Sequence, residues 1–382
     1  MSSNTIKLQV MDAICVTDGP SSKKAIREAT GLAWNTVGRI VDRLVDNRIL
    51  LEERDVPSQP GRPITNLELN PDNPLLVGLA LGGKWWRIVL CSYRFDMVFE
   101  RKIATPQWRG ALPFLHGIRD FILSSLLQAG YSLDRVFCIG IASSGTIDPA
   151  NGVLVSALNM GMEVGVHLPL RQDLEALLHK PVLVSSSTVA TAWAEYKFGS
   201  CAGIRNLLTV GISIGIGAGV IIDGKALVGS PDRPVGTLGH LYIPGNSRLC
   251  VCGRKGCLEA FAGGRSLVAV AQGRYPDAGW TSAEEIDRAA AGGDARAKNI
   301  LGRAARLDAA CIAFLVQIYR PEAIIFTGGQ CVERAFFYTT LREKLHKALP
   351  GDIAEHLKVS ISAIKEYGNA IGAARLAFEQ FF

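Results

Sequence analysis

No stretch of the 382-residue chain is long and apolar enough to suggest a membrane span. The longest apolar run, Leu207–Ile222, is broken by Gly211, Gly215, Gly217 and Gly219 and by Thr209 and Ser213, and it stops at Asp223-Gly224. A span needs ~20 residues, so this run reads as strand, turn and strand. The N-terminus has no apolar core of a secretory signal, reaching polar and charged residues at once. Charge of one sign is also scarce: 41 Lys+Arg against 35 Asp+Glu leave +6, too little to mark a nucleic-acid binder by composition. Charged residues make up only 20% and hydrophobic residues 48%, which excludes a disordered chain. The 40 glycines follow no G-X-Y period, which excludes collagen. There is no Rossmann fingerprint, internal repeat or low-complexity segment. The cysteines number nine, an odd count, and most (Cys91, Cys138, Cys311) sit singly between apolar neighbours. That suits reduced thiols in the cytoplasm better than a disulfide framework. The length implies two or three domains at ~100–200 residues each.

The first seventy residues form a unit of their own. Ile6, Val10, Ala13 and Ile14 make an apolar stripe at helical spacing. Ser22 can cap a second helix carrying Ala25, Ile26 and Ala29, and Thr30-Gly31 turns the chain. A third helix follows with Val37, Ile40, Val41, Leu44 and Val45 on one face. Ile49–Leu51 and Thr65–Leu69 read as strands around the loop Gln59-Pro60-Gly61-Arg62-Pro63. Three helices and a two-stranded ribbon make a winged helix-turn-helix. The third helix turns Trp34, Asn35, Thr36, Arg39 and Arg43 outward, donors and cations suited to a major groove, while Arg62 in the loop suits a minor groove. A helical cap or dimerisation unit is the alternative. Residues 1–63 carry nine Lys/Arg against eight Asp/Glu, so DNA affinity would have to come from local placement and from pairing two copies.

Asn70-Pro71-Asp72-Asn73-Pro74 reads as a linker, and it divides residues 1–70 from residues 71–382. Beyond it, strands at Leu75–Leu81, Trp86–Cys91, Met97–Ile103, Val136–Ile141, Pro181–Val184, Leu207–Val210, Gly217–Ile222 and Ala323–Phe326 alternate with helices. The helices are expected at Pro113–Gln128, Leu168–Leu178, Val189–Lys197, Ser266–Gln272, Ser282–Ala291, Ala295–Tyr319 and Asn369–Phe382. The pattern fits a two-lobed α/β body, and Ala295–Tyr319 has apolar residues enough to serve an interface between copies as well as the core.

The strongest local signal is Gly239-His240-x9-Cys250-Val251-Cys252-Gly253-Arg254-Lys255-Gly256-Cys257. His240, Cys250, Cys252 and Cys257 supply a complete tetrahedral set for zinc, and Arg254 and Lys255 favour thiolate over thiol. Four protein ligands leave no position for water, so the ion would be structural. A redox cysteine pair is the alternative reading.

These features resemble the ROK family of repressors and sugar kinases, and specifically the branch of N-acetylglucosamine- and xylose-type repressors that carries an N-terminal winged helix. Gly31–Val41 is similar to the family's recognition-helix segment and Gln59–Pro63 to its wing, with Ala33 where a capping serine is usual. The cysteine cluster followed by Leu258-Glu259 matches the family's zinc motif. Asp223-Gly224, Gly239-His240 and Ala370-Ile371-Gly372-Ala373-Ala374 fall where similar segments lie. The resemblance implies a two-lobed, actin-like or sugar-kinase-like architecture, with lobes at roughly 75–185 plus 369–382 and at 186–365. It also attributes much of the glycine surplus to phosphate-loop remnants and the zinc loop.

The departures from the family's kinases concern chemistry. Where kinases carry an aspartate before Gly-Gly-Thr, this chain reads Leu79-Ala80-Leu81-Gly82-Gly83-Lys84. The Gly-Thr-Gly phosphate segment reads Ser213-Ile214-Gly215, and Glu-Asn-Asp-Ala-Asn reads Ser185-Ser186-Ser187-Thr188-Val189. A serine at 187 cannot accept a sugar hydroxyl's proton near neutral pH as a carboxylate does. The sugar-contacting positions become Ser186, Ser187, Thr237, His240 and Glu259, with His240 shared between ion and ligand and Glu259 expected to accept a pair of hydroxyls. Taken together, the expectation is a cytoplasmic DNA-binding regulator, a repressor of carbohydrate-related genes without enzymatic activity. It would bind an imperfect palindrome as a homodimer or tetramer, respond to a sugar or sugar derivative, and change helix spacing by rotation at residues 71–74. The rivals are an ATP-dependent sugar kinase with an added domain and a ligand-blind regulator controlled by a protein partner.

Overall fold

The computed structural model describes residues 3–16, 21–54, 65–108, 110–162, 167–201, 203–230 and 233–382. Three helices come first: α1 (Ser3–Val16), α2 (Lys23–Thr30) and α3 (Trp34–Asp46). The Ser22 hydroxyl accepts a hydrogen bond from Ala25 N at the start of α2, and Gly31, at φ 68°, ends it in the left-handed conformation. No side chain caps α3 at Ala33, and its Val37, Val41 and Leu44 are buried. Strands β1 (Leu50–Arg54) and β2 (Thr65–Leu69) pair antiparallel, with Leu50 opposite Leu69 and Arg54 opposite Thr65. The loop between them, including Gln59–Pro63 and Arg62, lies outside the described residues.

Two sheets follow, wound alike. The first is built from β3 (Leu75–Leu81), β4 (Trp85–Cys91), β5 (Met97–Ala104), then α4 (Ala111–Gln128), β6 (Val136–Ser143), the small hairpin β7 (Thr146–Asp148) and β8 (Val153–Ser156), α5 (Leu170–Leu178) and β9 (Val182–Ser186). Its order is β5-β4-β3-β6-β9, an antiparallel meander followed by two parallel strands. Helix α6 (Ser187–Phe198) leads to β10 (Leu207–Ile212), β11 (Ile216–Ile222), β12 (Lys225–Ala226), β13 (Gly229–Ser230) and β14 (Arg233–Pro234). Helices α7 (Glu259–Ala262), α8 (Gly264–Arg274), α9 (Ala283–Ala291) and α10 (Ala295–Tyr319) precede β15 (Ala323–Thr327). The chain closes with α11 (Phe336–Ala348), α12 (Gly351–His356), β16 (Lys358–Ile361) and α13 (Gly368–Phe381). The second sheet runs β12-β11-β10-β15-β16, the same order with the same senses.

The alternation along β3 shows how the first lobe is layered. Leu75, Val77, Leu79 and Leu81 face a core shared with α4 and α5, while Leu76 and Ala80 face one shared with α13. The last helix is therefore part of the first lobe. Glycine makes its approach possible: a Cβ on Gly140 would lie 1.9 Å from the Ala373 carbonyl oxygen, and one on Gly372 would lie 1.8 Å from that of Ala190. Sheet, α13, α6 and second sheet are thus stacked backbone to backbone, and some of the glycine surplus belongs here rather than to loops. Helix α6 starts earlier than its apolar period suggests, because the Ser186 hydroxyl caps it through Val189 N.

The segment expected as a hinge is a pinned turn. The Asn70 side-chain amide donates to Arg48 O at 2.8 Å, that of Asn73 to Ile49 O at 2.9 Å, and Asn70 Oδ1 accepts from Asp72 N at 2.9 Å. Asparagine side chains here satisfy neighbouring backbone groups instead of leaving the chain loose. Moreover, one apolar cluster runs from Val10, Met11 and Ile14 of α1 through Val37 and Val41 to Ile371 and Phe378 of α13, crossing the boundary expected after residue 70.

Candidate functional site

The cluster of His240, Cys250, Cys252 and Cys257 forms because its loop is tied by its own backbone. Cys250 N donates to Arg254 O at 2.8 Å, Gly253 N to Cys250 O at 2.9 Å, and Ile243 N to Gly256 O at 2.7 Å. Gly256 sits at φ 90° with the Tyr242 ring against it, where a side chain would be both strained and blocked. The ligand atoms of His240, Cys250, Cys252 and Cys257 all lie within 4.8 Å of one another. Cys252 Sγ and Cys257 Sγ are 3.7 Å apart, and Cys250 Sγ is 3.8 Å from His240 Nδ1. A tetrahedral ion with sulfur at ~2.3 Å sets ligand–ligand edges of ~3.8 Å, so these residues fit a metal ion. Burial pushes the Cys250 thiol up to about 12. Burial also acts to raise Cys252, yet backbone and guanidinium hydrogen bonds from Arg254 draw it below its ordinary value. Arg254 Nη2 also donates to His240 O at 3.2 Å.

The five residues expected to meet a ligand gather around the start of β11. The Glu259 carboxylate, buried at the first turn of α7, accepts from Ile216 N through Oε2 at 2.8 Å. That bond uses one acceptor site of Oε2, and Oε1 is without a protein partner among the described residues. Gly239, beside His240, packs on Ile216 O and on Glu259, with a Cβ there falling 2.5 Å from the one and 3.0 Å from the other's Oε2. Since Nδ1 of His240 faces Cys250, the ring's second nitrogen is directed away from the thiols. Gly236, beside Thr237, accepts from Ala218 N at 2.9 Å. Ser186 is committed to capping α6 and shares a hydrogen bond with Thr188 Oγ1 at 3.1 Å. The hydroxyls of Ser187 and Thr237 have no protein partner among the described residues.

Sequence reasoning missed Asn159, on the short turn Leu158–Met160. A Cβ on Gly83 of the first lobe would lie 2.3 Å from the Asn159 carbonyl oxygen. One on Gly215 of the second would lie 3.0 Å from its Nδ2 and 2.3 Å from Glu259 Oε2. Asn159 therefore spans the cleft next to Glu259, a place no spacing rule reveals. Ala80 is buried in the apolar core beside α13, and Lys84 is exposed at the β3–β4 turn. Open cavities of about 500 and 510 Å³ lie elsewhere, one lined by Arg248, Leu249 and Arg274, the other by Trp86, Trp108 and His116.

The N-terminal module presents a second candidate site. Trp34 is 51% exposed at the first position of α3, and Asn35, Arg39 and Arg43 are exposed on the same side, with Thr36 half-buried. An exposed tryptophan and two arginines on a helix whose opposite stripe is buried are free to meet a partner.

The sequence model described as the ROK family matches residues 76–380. The xylose repressor of Caldicellulosiruptor bescii is 27% identical over 366 residues, spanning 92% of this chain and 90% of that protein. The N-acetylmannosamine kinase of Shigella flexneri is 32% identical over 305 residues, spanning 79% of this chain and 98% of the kinase. Among solved structures, a transcriptional regulator homologous to the MLC protein of E. coli superposes with a TM-score of 0.80 at 24% identity over 99% of this chain and 97% of that one. A glucokinase from Streptomyces griseus, solved with glucose and AMPPNP, superposes with a TM-score of 0.68 at 27% identity over 80% of this chain and 99% of its own.

Proposed function

The chain belongs to the ROK family, and from that membership we propose that it is a sugar-responsive transcriptional repressor rather than a kinase. The observation that carries the reading is α3, which buries Val37, Val41 and Leu44 and turns Trp34, Asn35 and Arg39 to solvent. Those side chains, with Thr36, would enter a major groove, and Arg62, which lies outside the described residues, is assigned to the minor groove on its sequence alone. The resemblance to a xylose repressor over nearly the full length of both chains supports this, whereas the kinase leaves about a fifth of this chain unmatched. Ser187 stands where phosphoryl transfer needs a carboxylate, and Ala80 and Ile214 stand where phosphate binding needs polar groups. Two copies present two recognition helices to an imperfect palindrome, as a homodimer or a pair of dimers in the cytoplasm.

The body supplies the response. A sugar or sugar derivative bound between the lobes meets Ser187, Thr237, His240, the Oε1 of Glu259 and Asn159, with Ser186 holding α6 in place. Zn2+ fits the closed set His240, Cys250, Cys252 and Cys257 and serves structure, fixing the loop that brings His240 and Glu259 to the ligand.

Retention of the DNA upstream of the protein's own gene, measured against salt, tests the assignment. Sequence-selective, salt-sensitive binding is expected, with Arg39→Ala weakening it by about 1–3 kcal/mol. Robust ATP-dependent phosphorylation across a panel of monosaccharides, or no selective retention, overturns it.

A further inference from the structure

We propose that Lys197 and Arg375 are positioning residues for the DNA-reading module: through Asp12 they clamp α1 to the helix pair between the lobes, so that the position of α6 sets the orientation of α3. The inference rests on the function proposed above. Asp12 lies on α1, and its two carboxylate oxygens meet different elements. Oδ1 accepts from Arg375 Nη2 on α13, and Oδ2 lies 3.0 Å from Lys197 Nζ at the last turn of α6. Glu379 closes the set, 2.6 Å from Arg375 Nε and 3.5 Å from Lys197 Nζ. Two cations and two carboxylates are thereby neutral as a group, and the Arg375 side chain is only 3% exposed. Arg375 is the desolvated member, since Asp12 is 34% and Lys197 22% exposed, so displacing Asp12 leaves a buried guanidinium with Glu379 as its remaining carboxylate.

Helix α6 touches everything that would have to be coupled. Its N-terminus is the Ser186-Ser187 cap at the interlobe site. One side packs on the second sheet, where a Cβ on Gly219 would lie 2.3 Å from Thr188 O and 2.7 Å from the Ala192 methyl. The other side packs on Gly372 of α13. Lys197, ~15 Å along the helix from Ser187, reaches the DNA-reading module. A rigid helix in close backbone contact cannot shift at one end alone, so a lobe movement that carries α6 changes the grip of Lys197 on Asp12 and Glu379. The linker is pinned by Asn70 and Asn73, and α1 also meets the C-terminus through Lys7 Nζ, which donates to Phe382 O at 2.6 Å, so the clamp is distinguished by its reach to α6 through Lys197.

The test uses the full chain and two readings. Cys15 on α1 donates to Tyr93 O at 3.2 Å, so its alkylation by iodoacetamide, followed by peptide mass spectrometry, reports α1 lifting from the body. Binding of the DNA upstream of its own gene reports the module's orientation. Lys197→Met and Asp12→Asn should alkylate Cys15 about tenfold faster and lower DNA retention by a similar factor, while Lys197→Arg keeps both near the original. Cys311, in the second-lobe core, should react at an unchanged rate in every variant, which separates undocking from general unfolding. Unchanged Cys15 alkylation in both variants means that apolar contact alone holds α1 and overturns the clamp. Faster alkylation with unaltered DNA binding overturns its role in positioning. A wild-type protein that selects no DNA defeats the proposed function instead, and the Cys15 rates then decide the clamp alone.

Discussion

The first sheet, β5-β4-β3-β6-β9, and the second, β12-β11-β10-β15-β16, are wound alike, yet each lobe secures its appended piece by different chemistry. The second lobe gathers four candidate metal ligands for the 240–258 loop from one short segment. The first lobe holds α1–α3 with an apolar cluster and an ion network whose members lie on α1, α6 and α13. If the loop holds the proposed ion, it is a local, nearly all-or-none device, because losing one ligand would empty it. The N-terminal clamp is a distributed one, whose strength can be graded by small movements of its parts. The difference assigns rigidity to the side of the cleft that holds His240 and Glu259, and adjustability to the side that carries α3.

Removing the metal is the strongest way to break this contrast. Cys250→Ser, or chelation of the purified protein, should cost more than ~3 kcal/mol locally. Hydrogen exchange should then rise across residues 240–258 and α7, with α4 and α5 of the first lobe little changed. A uniform rise over both lobes would mean that the loop supports the whole body rather than its own corner.

A smaller effect is expected where α13 rests on the first sheet. Gly140→Ala puts a methyl 1.9 Å from the Ala373 carbonyl, so helix or strand must shift, at about 2–3 kcal/mol. Because Arg375 rides on α13, Cys15 should also become more reactive in this variant while exchange in the metal loop stays as it was. Denaturant melts followed at both places would show it; equal losses in the two lobes would contradict the separate anchoring.

The readability of the two devices from sequence follows the same division. The metal set lies within eighteen residues of chain, so spacing alone announces it. The helices of the N-terminal module are equally legible, since Val37, Val41 and Leu44 repeat at helical period. By contrast, Asp12 and Arg375 are separated by 363 positions, and each looks like an ordinary surface charge until the fold joins them. The common strand order of the two sheets was equally hidden. No sequence repeat accompanies it, and strand order is fixed by long-range pairing that local patterns do not encode. The short elements β7, β8, α12 and β16 carry too few residues for a period to show, whereas α11, with Phe337, Leu341 and Leu345 at helical spacing, was readable and went unmarked. The linker misled through composition: prolines and asparagines suggest slack, while Asn70 and Asn73 spend their amides on Arg48 and Ile49.

The smallest expected effect concerns a buried carboxyl that, unlike Arg375, has no ion partner among the described residues. Asp308, on α10 in the second-lobe core, is fully enclosed, and neither carboxylate oxygen has a hydrogen-bond partner among the described residues. Burial raises its pKa well above the ordinary 3.8. The folded protein therefore keeps the proton to higher pH than the unfolded chain does. Between the two pKa values the unfolded state binds fewer protons, so stability falls as pH rises through that window. Asp308→Asn keeps the shape and removes the ionisation, and it should raise stability near neutral pH by on the order of 1 kcal/mol, roughly 2–4 °C. Melting midpoints of the two proteins should converge toward pH 4 and separate as pH rises to 8, with other titrations cancelling in the difference. A gap independent of pH, or a less stable variant, would contradict a buried, protonated Asp308, and the contrast between one lobe's paired buried ion and the other's unpaired carboxyl would fall.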